Sequence, residues 1–442
     1  MRMMLGRSLG SRINPLQLVQ GPQRLHNYAR RVHQHRAHDM TPRQRITKTL
    51  RGERVDRIPL DIGGTESSGL TGIAYNRLRE HLGLPPGRTQ IFDTLQQVVK
   101  IEDDLRERLG IDTVGLLIEP RRWKPFSLPD GSACEIPEKW SPKKDADGGL
   151  VVTDDTGHVT ARMPADGFYF EPAYFPLADV KEPMELDAHA AAIESFDWPA
   201  FADETLDDIA ARARKLYNDT DYAIVANLQF HLLAGGQFLR GYERFMIDLL
   251  AEKDLAHALL QRLVAAYKRR AEAYLEKVGG FVQVVLVNDD LGTQNGPMMS
   301  LDCYREMIWP YQKELFGFIK SKTDAAILFH SCGAVSEFIP LLLEAGIDAL
   351  NPVQVTAAGM DTARLKQQFG DRLTFWGGGC DTQHVLRNHT PKQIAAEVRR
   401  RISDLAGGGR FIFTQVHNIQ PDVPPENIVA MLEAFASGRS YA

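Results

Sequence analysis

Cysteine is scarce in this chain: Cys134, Cys303, Cys332 and Cys380 are the four in 442 residues. They are too few and too scattered for a disulfide framework. That points to a reducing, cytoplasmic setting and leaves a cysteine with a role as a ligand or a nucleophile. Long apolar runs are also missing. No stretch of about 18 apolar residues occurs, so the sequence offers no membrane-spanning helix. There is no excess of positive charge: the formal net charge is −5, and beyond residue 60 no long basic stripe appears. The electrostatic footprint of a nucleic-acid binder is absent. Self-similarity at a period of about 20–50 residues is lacking too, which excludes a solenoid.

What is present is the composition of a globular protein, 43% hydrophobic and 25% charged. The length is large for an ordinary domain but suits a parallel α/β barrel with insertions. Residues 1–39 stand apart, with Arg2, Arg7, Arg12, Arg24, Arg30, Arg31 and Arg36 against one acid, Asp39. A transit peptide or a basic tail has this composition. The segment lacks a sustained amphipathic period, which favours an upstream start with synthesis proper beginning at Met40. We expect residues 1–39 to be a disordered basic extension without a part in function, and residues 40–442 to form one barrel.

The barrel expectation rests on alternation. β-branched runs that end in polar residues or glycine are each followed by a helical pattern, as in βα units on a parallel sheet. Eight such runs occur, at 57–62, 112–118, 222–226, 282–287, 325–329, 348–351, 373–376 and 411–415. Helical patterns cover 242–277, 301–320, 335–345, 391–406 and 425–436, with Pro391 and Pro425 at first-turn positions and Gly346 at a C-cap. The predicted fold is a (β/α)₈ barrel. Residues 119–215, rich in Pro, Asp and Gly, break the rhythm. They read as a β-rich insertion between strands two and three, with a hairpin of 150–153 and 158–163 around Asp154-Asp155-Thr156-Gly157. Long βα loops emerge at the C-terminal face, so this insertion is expected over the barrel mouth.

In a barrel of this kind the reacting groups sit at the C-terminal strand ends. Those ends carry Asp61, Asn227, Asn288-Asp289-Asp290, His330-Ser331-Cys332-Gly333, Asn351, Cys380-Asp381 and His417. Polar and metal-binding types are richer there than packing requires, which points to an enzyme. His330 and Cys332 are two apart at the end of an apolar strand, so in extended backbone both point to one face. Imidazole with thiolate suits Zn²⁺; the alternative is a buried histidine beside an inert cysteine. A third ligand comes from His417, at the end of strand eight, or from Cys380, at the end of strand seven. Asp289 and Asp290 are the candidate catalytic carboxylates, orienting substrate or a metal-bound histidine, unless they serve an Asx turn or helix cap. Adjacent side chains diverge, so one of the two at most faces the pocket. Asp61, Asn227, Asn288, Asn351, Cys380, Asp381 and Gln383 are the candidate substrate-binding residues.

Several blocks resemble the uroporphyrinogen decarboxylase superfamily: Asp56-Arg57-Ile58-Pro59-Leu60-Asp61, Asp289-Asp290-Leu291-Gly292-Thr293-Gln294, His330-Ser331-Cys332-Gly333, Asn351-Pro352-Val353-Gln354, residues 377–383 and Pro424-Pro425-Glu426-Asn427-Ile428. The likeness runs from about Met40 to the C-terminus and is densest after Asn288. Two branches are distinguishable. The decarboxylases use no metal and grip their carboxylates with an Arg-Gln-Ala-Gly-Arg segment after strand one. Here that stretch is Gly63-Gly64-Thr65-Glu66-Ser67-Ser68-Gly69, with no arginine and one acid. An octacarboxylate substrate needs bidentate cationic partners that it does not offer. The other branch is the zinc- and corrinoid-dependent methyltransferases, resembling methylcobamide:coenzyme M methyltransferases, whose motif is His-x-Cys with a distal Cys. His330 and Cys332 match, and the distal position falls at His417, a departure that keeps a zinc donor.

The resemblance implies Lewis-acid catalysis by Zn²⁺, with a methyl group passing between a corrinoid and a small-molecule donor or acceptor. This chain has no Asp-x-His-x-x-Gly signature, since Asp381-Thr382-Gln383-His384 has the wrong spacing. The corrinoid is therefore expected on a separate corrinoid-binding protein or as free cofactor. The competing expectations are a metal-free decarboxylase acting on a porphyrinogen and a catalytically silent barrel subunit.

Overall fold

A computed structural model describes residues 40–154, 156–195 and 203–440. The expectations for residues 1–39 lie outside the described residues. Seven strands form one parallel sheet: β1 (Thr113–Leu116), β2 (Ala223–Asn227), β3 (Val284–Asn288), β4 (Ala326–His330), β5 (Ala349–Asn351), β6 (Thr374–Trp376) and β7 (Phe411–Ile412). They neighbour one another in sequence order, β1 to β7. The eighth run is shorter than expected. At 57–62 the chain makes a single parallel bridge, Leu60 to Phe413. Even so it joins both edges: Asp61 N donates to Phe413 O at 2.9 Å, and Asp112 N donates to Leu60 O at 2.8 Å. Three residues, Pro59 to Asp61, thus close the α/β barrel, since Pro59 O also accepts from Phe413 N at 2.9 Å. Pro59 limits the strand there, because it has no N–H to give to the ladder.

Alternation along the strands builds two cores. One set of side chains points outward onto the helices, among them Ile224, Val285, Ile327, Phe329 and Phe375. The other set fills the lumen: Val225, Val284, Leu286, Leu328, Ala349, Trp376 and Ile412, all buried. The helix Pro42–Arg51 plugs the lower end with Ile46 and Leu50, which pack into the same cluster. Its start is set by a capping box between Thr41 and Gln44. Two residues further along each strand, the same inward face turns polar. Asn227, Asn288, His330 and Asn351 follow Val225, Leu286, Leu328 and Ala349, and the registers pair Asn288 with His330 and His330 with Asn351. The strand period of two therefore places a polar layer directly above an apolar plug.

Two expected helices are each divided. The pattern at 242–277 is Tyr242–Ala251 and Lys253–Val278, and that at 301–320 is Leu301–Met307 and Trp309–Lys320. Pro310 lies in the first turn of the latter, where its missing N–H ends the preceding helix and starts the next. Gly346 takes the left-handed C-cap, with φ 107°.

The segment between β1 and β2 holds two antiparallel sheets, Trp123–Ser127 with Ala133–Pro137, and a four-stranded one containing Leu150–Thr153 paired with Val159–Met163. Its apolar side chains are continuous with the outer core of the barrel, and among them Trp140 meets Phe170 edge-on with ring centroids 5.5 Å apart. Among the described residues, no helix is long and apolar enough to cross a membrane.

Candidate metal centre

His330 ends β4 and Cys332 follows it by two residues, so both side chains reach the mouth from one strand end. Gly333, with φ 82°, then turns the chain. A side chain there would lie 2.3 Å from the backbone of Gly292, so only glycine fits both the angle and the approach. His417 comes from the far side of the closed barrel, just beyond β7. Its φ of 64° is left-handed, a conformation costing about 1–3 kcal/mol for a residue with a side chain. One ligand atom from each of His330, Cys332 and His417 lies within 4.8 Å of the others. The two imidazoles face each other edge-on, with centroids 5.6 Å apart.

The donor set fits zinc. With Zn–S of about 2.3 Å and Zn–N of about 2.0–2.1 Å, a tetrahedral angle sets N···S near 3.6 Å. The separation from Cys332 Sγ to His330 Nε2 is 3.5 Å. The tautomer is also suitable. Asn351 Nδ2 donates to Trp376 O at 2.9 Å, which turns Asn351 Oδ1 toward His330 Nδ1 at 2.6 Å. A carboxamide oxygen only accepts, so Nδ1 carries the proton and the lone pair of Nε2 faces the site. Ser67 Oγ lies 2.9 Å from the same Nδ1 and donates to Asn351 Oδ1 at 3.1 Å. Enclosure, aided by neighbouring His330, lowers His417 to about 4, so its imidazole is neutral at pH 7. Enclosure and the Asp290 carboxylate push the Cys332 thiol well up from its ordinary value. Coordination to a cation reverses that preference and releases the proton.

Asp290 faces this centre. Its Oδ1 accepts from Cys332 N at 2.8 Å and lies 3.8 Å from His330 Nε2. Asp289 points the other way, and its reading as a catalytic carboxylate is corrected. Its oxygens accept from Leu232 N, Leu233 N, Ala234 N and Gln312 Nε2 at 2.9–3.1 Å. It anchors the first turn of helix Leu233–Arg240, a long-range contact and not an Asx turn or cap in the loop that follows the pair.

Other sequence candidates divide in the same way. Cys380 is fully buried, its Sγ turned to Asp381 O. Among the described residues it is outside the group that could hold a metal ion, which leaves His417 as the candidate third ligand. Asp381 caps the turn at 384–385 by accepting from His384 N and Val385 N. Asp61 lies beneath the mouth with no exposure, accepting from Thr113 Oγ1, Trp376 Nε1 and Gly64 N. The side chains of Cys380 and Asp61 are committed to the fold, which removes them as substrate contacts, whereas Asp381 keeps one carboxylate oxygen, Oδ1, buried without a partner. Asn351 positions His330. Asn227 and Asn288 project into the lumen, and Gln383 is exposed on a pocket of about 710 Å³ that also reaches Cys332 and His417. Phe168 and Tyr169, from the insertion, line that pocket as well.

Three residues at the site are not among the sequence candidates. Ser67 and Glu66 lie in the loop after the first strand, where the sequence stands out for the arginine it lacks. Glu66 Oε2 accepts from Gln229 Nε2 at 3.0 Å, and Oε1 accepts from Asn288 Nδ2. Enclosure, with Asp93 nearby, raises Glu66 to about 7. His231 is the third; enclosure lowers it to about 4 against the pull of Asp290, and its Nε2 is buried without a partner. A strand-end loop with one acid among small residues is a usable signal for Glu66. Nothing local marks Ser67 or His231.

An α/β barrel with a His-Cys-His group at its mouth defines the class of this molecule. Residues 228–437, just under half of the chain, match the family model "Uroporphyrinogen decarboxylase (URO-D)". A uroporphyrinogen decarboxylase of Legionella pneumophila (strain Lens) is 29% identical over 210 residues, 47% of this chain and 54% of that protein. One from Alkalilimnicola ehrlichii is 24% identical over 212 residues, 47% of this chain and 53% of that protein. The chain thus spans about half the length of the curated relatives it matches. Among solved structures, a methyltransferase from Methanosarcina mazei superposes with a TM-score of 0.53 at 18% identity, covering 90% of this chain and 98% of that one. That likeness extends the fold to the N-terminal half.

Proposed function

We propose that this chain is a zinc-dependent methyltransferase, moving a methyl group between a corrinoid carrier and a small thiol or an O- or N-methylated substrate. The observation that carries the reading is the convergence of His330, Cys332 and His417 at the barrel mouth. Three protein ligands leave a fourth position open, as in catalytic rather than structural zinc sites. When bound, the ion supplies Lewis acidity and stabilises a thiolate or a developing oxyanion. The protein's own groups do the rest. Asn351 and Ser67 hold the tautomer and plane of His330, Asp290 holds the Cys332 backbone, and Phe168 and Tyr169 narrow the entrance to water. The corrinoid is supplied by a partner protein, or free, and meets the chain at this same mouth.

The names of the matched relatives favour a metal-free decarboxylase instead. The mouth argues against it. A single arginine, Arg387, is among the described residues that line the pocket, and it pairs with Asp422. A substrate with many carboxylates would find no cationic grip there. The deciding experiment is elemental analysis of freshly prepared, unchelated protein. About one zinc per chain is expected, and Cys332→Ser should lose it while circular dichroism stays unchanged. Wild-type protein without metal would sink the reading.

A further inference from the structure

We propose that the substrate taken at this centre carries a primary ammonium group, and that Glu66 is its counter-ion. The inference deepens the metal-dependent reading above and rests on it. It begins with the sign of the mouth. Glu66, Asp93 and Asp290 are the charged side chains grouped around the polar layer, and among the described residues no lysine or arginine pairs with any of them. An anionic head group, such as a sulfonate or carboxylate, would lose water and find like charge instead of a guanidinium fork.

The second observation is independent of the acids. Asn227 and Asn288 project inward from neighbouring strands, 1% and 5% exposed. Asn227 Oδ1 and Asn288 Oδ1 are both buried without a hydrogen-bond partner. Such orphaned acceptors are destabilising unless something donates to them. The Asn288 amide is locked by its Nδ2 bond to Glu66, so its oxygen cannot exchange places with its nitrogen without facing a carboxylate with another oxygen. The lumen therefore presents one carboxylate and two amide oxygens and is short of donors. A primary ammonium brings three N–H donors and one positive charge. Enclosure already holds Glu66 at about 7 and Asp93 at about 6, as expected of carboxylates kept from a cation. With the ammonium against Glu66, the other end of a two- or three-carbon molecule lies toward His330, since Asn288 and His330 are register partners.

Two thiols of equal length and opposite head charge test this: 2-aminoethanethiol and 2-mercaptoethanesulfonate, titrated calorimetrically into zinc-loaded protein. The amine should bind at least about tenfold tighter. Glu66→Gln should erase that preference with zinc per chain unchanged, and Glu66→Asp should retain most of it. Equal or tighter binding of the sulfonate overturns the proposal, as does a preference that survives in Glu66→Gln. A chelator-treated arm with ethylammonium, read by saturation-transfer NMR, separates this inference from the metal reading. An ethylammonium signal that disappears in Glu66→Gln supports the ammonium site even in a protein that never holds zinc. A signal that the substitution leaves unaltered overturns it. Should Glu66→Gln fail to fold, Asn288→Ala reads the same preference. A reduction of about threefold is expected there, and no reduction counts against the proposal.

Discussion

The two halves of the barrel contribute different things to one site. The C-terminal half, which matches the family model over residues 228–437, supplies all three candidate ligands and the asparagine that orients His330. The N-terminal half supplies what faces them: Ser67 on the back of His330, Glu66 across from Asn288, and Phe168 and Tyr169 at the entrance. The recognisable half is thus the half that would hold a metal, and the other half shapes what is admitted to it. Ligand chemistry tolerates few residue types, whereas a substrate pocket can be re-lined loop by loop on an unchanged barrel.

This contrast can be broken by experiment. The largest effect is expected at the third ligand. His417→Ala should reduce zinc from about one per chain to almost none, whereas Cys380→Ala, at a buried thiol outside the group, should keep it. The reverse result, by elemental analysis of both variants, would dismantle the ligand assignment. Next comes Asp289→Ala, which leaves four buried donors without their acceptor. We expect a loss of about 2–4 kcal/mol in urea unfolding, with zinc retained by the folded protein. If Asp289→Ala instead lost zinc at full stability, Asp289 would belong to the site after all.

Asn351→Ala should weaken zinc by about 10–100-fold through the lost bond to His330 Nδ1, measured by competition with a chelator. Unchanged affinity would show that Ser67 alone holds the tautomer. The smallest effect belongs to the insertion. Gly157, at the tip of the hairpin, has φ 88° with open space around it. Gly157→Ala should cost about 1 kcal/mol through backbone strain alone, read as a small drop in Tm, with zinc unaltered. A larger loss accompanied by metal release would mean that the insertion and the ligand half are coupled.

Much of this molecule is legible from its residues in order. Seven of the eight strand runs carry a strand of the sheet, because inward and outward faces alternate with a period that needs no knowledge of the fold. The eighth stops short at Pro59, where the apolar pattern continues but the backbone cannot donate. The pairing of His330 with Cys332 is equally local. Asp289 and Asp290 are not separable by pattern. They are adjacent, chemically identical, and opposite in fate, because one meets three free backbone N–H groups at a helix start and the other meets Cys332.

The amino-acid order by itself determined the strand faces, the His-x-Cys pair, the polar strand ends and the absence of arginine after the first strand. All of these follow from spacings of a few residues. Only the tertiary structure decided that His417 rather than Cys380 joins the group, that Ser67 reaches His330 across 263 positions of chain, and that Glu66 meets Asn288 across 222. Those choices depend on how a closed barrel brings its first and last strands beside the middle ones. Backbone bonds from residues 59–61 to both edge strands make that closure, and local preference carries no record of it.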